Sequence, residues 1–156
     1  MLFLSPTSNT STEPQVITHD GKTIAIIVRA SFSPPGVTFV TPDDFSQQLA
    51  YIRWPDGKTI PSHVHNPVHR DITYTLEVLF IRKGKMRVDL YTNERTYIES
   101  HILNTGDVIF LASGGHGFEM LGECDFIEVK QGPYSGDHDK TRFPGVDPSH
   151  IVIKSR

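Results

Sequence analysis

His63-Val64-His65 is the densest concentration of metal-binding chemistry in the chain. Alternate side chains of a strand share a face. In a strand the two imidazoles would therefore project together, about 6.6 Å apart along the backbone. From there they converge on one ion at roughly 2.0–2.2 Å. Glu77 lies in TYTLEVLFI (73–81), where Thr75, Glu77, Leu79 and Ile81 would share one face. A lone carboxylate on such an apolar face is costly unless it is paired or bound to a cation. His116 opens HGFEML (116–121) and shares its face with Phe118 and Met120, with Gly114-Gly115 before it to turn the ring inward. His63, His65, Glu77 and His116 are thus the expected ligands of one divalent transition metal. His69, separated from His65 by three residues, is the alternative to Glu77. Three imidazoles and a carboxylate suit Fe, Mn, Ni, Co or Zn, with coordination positions left open. The lack of thiolate ligands argues against a structural zinc site.

Other residues extend this chemistry. Glu128 and Lys130, two apart in CDFIEVK (124–130), form an acid–base pair able to move a proton. They and His69 are the candidate catalytic groups. Tyr51, Arg53, Arg70 and Phe118 are candidates for holding a substrate, with the guanidinium groups suited to an anionic function such as a phosphate or carboxylate.

Positioning these residues requires strands. Short β-rich runs follow one another at IAIIVRA (24–30), VTFV (37–40), TYTLEVLFI (73–81), KMRVDLY (85–91), TYIESHIL (96–103), DVIFLA (107–112), HGFEML (116–121) and CDFIEVK (124–130). SPPG (33–36), PDD (42–44) and other Gly, Asn or charged turns separate them. Phe45 to Trp54 is read as a further strand, and HIVIK (150–154) as a last edge strand. Residues 132–148, rich in Gly, Pro and Asp, read as a loop. The pattern predicts an all-β sandwich or barrel. Residues 1–20 are expected as a flexible tail and 21–156 as one domain.

The spacing around the histidines resembles the cupin superfamily, and specifically its small single-domain bacterial metal-binding members. Five residues separate Gly57 from His63, and six separate Glu77 from Gly84; Gly106 opens GDVIFLASGGHGFEM, which carries His116. The likeness spans Trp54 to Lys130. The chain departs from the family pattern in the eleven residues between His65 and Glu77, in Ala112 where proline is common, and in a shortened step from Gly114 to His116. The resemblance implies a double-stranded β-helix, or jelly-roll, barrel around the metal. EVKQGPYSGDHDK looks like the tail of small bacterial cupins of carbohydrate metabolism. An isomerase or epimerase acting on a small sugar-like molecule is the first expectation. An Fe(II)-dependent dioxygenase and a non-enzymatic metal- or ligand-binding protein are the alternatives.

The 156 residues suit one domain, and the formal charge of −3 gives no broad basic surface for nucleic acid. The single cysteine, Cys124, excludes an intrachain disulfide. No apolar stretch approaches the roughly 20 residues of a membrane span. A cytoplasmic location with a small-molecule ligand is expected, without nucleic-acid or membrane partners. Exposed strand edges such as IAIIV suggest a homodimer.

Overall fold

A computed structural model describes residues 12–155. Ten strands make up the fold: β1 (Gln15–His19), β2 (Lys22–Val28), β3 (Gly36–Phe39), β4 (Ala50–Arg53), β5 (Glu77–Lys83), β6 (Lys85–Tyr91), β7 (Tyr97–Asn104), β8 (Val108–Leu111), β9 (Gly115–Met120) and β10 (Asp125–Lys130). Among the described residues there is no α-helix, only two 3-10 turns at Gly136–Asp139 and Pro148–His150. The protein is all-β, and its named strands pair antiparallel.

The strands form a five-stranded sheet in the order β1-β2-β8-β5-β10, a three-stranded sheet β7-β6-β9, and the hairpin β3-β4. Leu79 and Ile81 of β5 and Ile109 of β8 meet Met86, Val88 and Leu90 of β6 in one buried cluster. Alternation along β5 explains this: Glu77, Leu79 and Ile81 point inward, while Phe80 points out. On the other side of the large sheet, Phe110 packs against Phe45 with ring centroids 5.8 Å apart. The sheets do not close into a barrel, because β9 and β10 are each paired on one side only.

Two polar knots hold the ends. Asp107 accepts hydrogen bonds from Arg29 Nη1 (3.0 Å), Ala30 N (2.9 Å) and Asn104 N (2.9 Å), tying the β7–β8 turn to the end of β2. Asp89 takes the Ser100 hydroxyl and the Arg87 guanidinium. The Tyr97 hydroxyl joins that network through a 2.7 Å hydrogen bond with Ser100 Oγ and accepts from Val152 N at 2.9 Å, fastening the C-terminal segment.

Several expectations are corrected. Residues 15–19, expected within the tail, instead form β1, where Val16 and Ile17 pair with β2 and Ile17 is buried; residues 1–11 lie outside the described residues. Phe45–Trp54 is a strand only from Ala50. Before that, Gln48 turns the chain by donating to the carbonyls of Pro42 and Phe45. β5 begins at Glu77 rather than Thr73, and His63-Val64-His65 lies in no strand. Pro148–His150 winds as a 3-10 turn, leaving only a one-residue parallel bridge from Ile153 to Ser100. IAIIV is no free edge, since β2 lies between β1 and β8.

Candidate active site

The site forms where β5, β9 and β10 approach one another. Glu77, the first residue of β5, is largely buried and pairs with Lys130 of β10 in the ladder. His116 is the second residue of β9. The turn before it passes through Gly114, whose φ is +73°, and a Cβ there would run into the carbonyl oxygen of Tyr91. Only glycine makes that approach. It aims the imidazole at β5, so that His116 Nε2 lies 3.0 Å from Glu77 Oε2. The Phe118 ring lies 5.2 Å from that of His116, tilted by 39°.

Lys130 adds a cation. Its Nζ lies 3.0 Å from Glu128 Oε1 and 3.9 Å from Glu77 Oε1. The hydrogen bond from His116 holds the Glu77 carboxyl below its ordinary value of 4.5. Burial opposes that shift, while Lys130 and Lys140 add to it. Glu77 is therefore ionised at neutral pH. Lys130 is held above its ordinary value, first by its hydrogen bond to Glu128 and also by the charges of Glu128 and Glu77, against a smaller cost of burial.

Glu77, His116 and Glu128 border a cavity of about 720 Å³, whereas Lys130 is not part of its lining. That volume is in the range for small-molecule sites. Glu77, His116, Phe118 and Glu128 line it, together with Lys140 and Phe143 from the segment after β10. Tyr91 organises that segment: its hydroxyl accepts from Val146 N at 2.9 Å, and its ring meets Phe143 edge-on at 5.1 Å. Tyr91, Lys140 and Phe143 were not foreseen. The only sequence signal was the Gly-, Pro- and Asp-rich character of 132–148, which says nothing of where the loop folds.

The remaining candidates lie elsewhere. His63 and His65 face each other, with ring centroids 5.2 Å apart, in the exposed segment between β4 and β5. His63 Nδ1 is 2.9 Å from the carbonyl of Pro61. His69 pairs with Asp71 at 3.0 Å, both fully in solvent. Arg70 reaches only the carbonyl of Val68. Tyr51 and Arg53 both donate to the Ser33 hydroxyl, at 3.2 and 3.0 Å, and do not line the cavity.

The four expected metal ligands thus form two pairs. Among the described residues, no three His, Cys, Asp or Glu side chains come together to share an ion. Within one chain the donors do not fit a metal. What the single chain presents is an ionised carboxylate against an imidazole, a second acid–base pair beside it, and an open cavity in front. No helix among the described residues is long and apolar enough to cross a membrane. No family model, no curated protein and no solved structure matches this chain.

Proposed function

We propose that the protein is a metal-dependent enzyme of the cupin type that acts on a small polar, sugar-like metabolite by moving a proton, as isomerases and epimerases do. The observation that carries this reading is the 3.0 Å pairing of Glu77 with His116 on the wall of a cavity of about 720 Å³. An ionised carboxylate beside an imidazole is suited to take a proton from a substrate carbon and return it to a neighbouring position. Lys130, 3.9 Å from Glu77 but not on the cavity wall, adds a positive charge that helps keep that carboxylate ionised. Glu128 keeps Lys130 in place. Phe118, with Ala112 and Phe143, gives the cavity its apolar wall.

The barrel and the metal belong to the same proposal. Two facing antiparallel sheets with free edges at β9 and β10 support reading the fold as a jelly roll that lacks a closing strand. His63 and His65 would join Glu77 and His116 around one divalent transition ion, whose contribution would be to polarise a substrate oxygen. The single chain does not assemble that set, so the proton steps above are assigned to the side chains alone.

Deuterium incorporation tests the reading. Sugar phosphates and nucleotide sugars are incubated in D₂O with protein loaded with Co(II), and C–H exchange is followed by proton NMR. Exchange into at least one substrate is expected, with loss in Glu77→Gln. Absence of exchange across the whole panel from folded, loaded protein would sink it.

A further inference from the structure

Residues 54–76 are out of keeping with the rest of the molecule. Every residue from 54 to 75 is exposed, and none belongs to a strand or helix. The hydrogen bonds there are local, such as Lys58 N to Pro55 O and His69 to Asp71. Only Leu76, at the end, is bonded to the body, through Gln131. Yet this is not the composition of a spacer. Ile60, Val64, Val68, Ile72 and Tyr74 recur along it, with Val64 88% and Tyr74 73% exposed. Flexible linkers lack such residues because they have nothing to bury them against. Unstructured loops of this length are uncommon inside a domain.

The body has the matching deficiency. β9 and β10 each keep one edge without a partner, and Met120, Ile127 and Val129 are exposed along them. A free edge flanked by apolar side chains is a template for another strand. The segment is tethered to that body at both ends, which gives it a high effective concentration there. Thr73, Tyr74 and Thr75 line the cavity and Leu76 enters the core, but residues 54–72 form no strand on either edge.

We infer that residues 54–72 dock on a second copy of this chain, each of two protomers laying the segment along the free β9 edge of the other. Such an exchange is isologous and closes as a two-fold dimer. A stable interface takes roughly 20–30 residues a side, and the segment itself approaches that size. The exchange sets His63 and His65 of one protomer beside the partner's Glu77 and the partner's His116, joining the two half-sites that one chain keeps apart. The assignment of that joined site to a metal rests on the function proposed above; the exchange itself does not.

Light scattering after size exclusion, on the full chain at tens of micromolar, tests the exchange. A dimer is expected, and a monomer for Val64→Asp with Val68→Asp, whose circular dichroism should stay that of the folded wild type because both side chains are exposed. A wild-type monomer, or a dimer indifferent to these substitutions, overturns the inference. Complementation then tests sharing. The His63→Ala, His65→Ala double variant and His116→Ala are refolded together and titrated with Co(II). Half of the dimers are mixed and one of their two sites is whole, so the mixture should recover about one quarter of the wild-type sites that neither variant shows alone. No recovery, where wild type binds Co(II), overturns the sharing of the site. A wild-type dimer that is sensitive at Val64 and Val68 but takes up no Co(II) upholds the exchange and removes the metal alone.

Discussion

The hydroxyl of Tyr91, at the end of β6, accepts a hydrogen bond from the backbone N–H of Val146 at 2.9 Å, across 55 positions of sequence. This bond and the Tyr91–Phe143 edge contact hold the segment after β10 against the cavity, with Lys140 within it. Tyr91→Phe keeps the ring and removes the bond. A single hydrogen bond contributes about 0.5–1.5 kcal/mol. Global stability in urea should fall by that amount, while amide exchange at Val146 accelerates more than exchange in β6. Unchanged protection at Val146 would contradict the anchoring role.

Glu77 makes the stability depend on pH in a defined direction. Its carboxyl is lowered from 4.5 by the His116 hydrogen bond against opposing burial. A carboxyl lowered in the folded state contributes stability that is complete above its ordinary value. That contribution fades as pH falls below 4.5 toward the folded-state value. Wild type should therefore lose more stability than Glu77→Gln on acidification through this window. Asp89 is also lowered, because bonds from Arg87 and Ser100 outweigh its burial, but it titrates alike in both proteins. Equal losses in urea melts of the two would contradict the assignment.

The Asp107 carboxylate accepts three hydrogen bonds, and its side chain is 5% exposed. Asp107→Ala leaves Arg29 without its counter-charge and two backbone N–H groups without acceptors. Breaking a buried pair from one side costs about 3–5 kcal/mol. Adding Arg29→Met should return part of the loss, since the stranded charge goes with it. A chemical-denaturation cycle measures both steps, and a loss under about 1 kcal/mol would show the knot to be ornamental.

Gly114→Ala should damage the site and the fold together. The left-handed conformation alone costs a non-glycine residue about 1–2 kcal/mol. The collision with the Tyr91 carbonyl adds to it, and any relief shifts His116 away from Glu77. The expected readouts are a lower melting temperature and a displaced His116 ring resonance by NMR. Gly122→Ala is the control: its φ is +97° but nothing stands within 4 Å of an added Cβ, so it should leave His116 in place.

What the sequence made legible follows local rules. β6 was read at its actual bounds because Gly84 and the turn after Tyr91 punctuate an alternating run. Glu77 and His116 stood out as polar residues on otherwise apolar strand faces, and those two do meet. The strand expected at His63-Val64-His65 does not form, because alternation alone does not supply the neighbour a strand must bond to. The early start expected for β5 failed for a similar reason: Leu76 N is taken by the side chain of Gln131, 55 residues away. Tyr91 read as one more strand aromatic, since its partner Val146 lies in a loop of no period. Local pattern named the chemistry, whereas long-range partners decided which of it came together.

The ladder between β2 and β8 has a practical consequence. It joins a strand from before residue 54 to one from after residue 76, and Arg29 and Asp107 clamp the same junction. The backbone between those points contributes no hydrogen bond to the body before Leu76. A nick there, at Lys58 or Arg70 by trypsin, cuts the covalent thread without cutting the ladder. The molecule is by construction a split protein: two separately made halves carry complementary strands and should reassemble into the intact sheet when mixed.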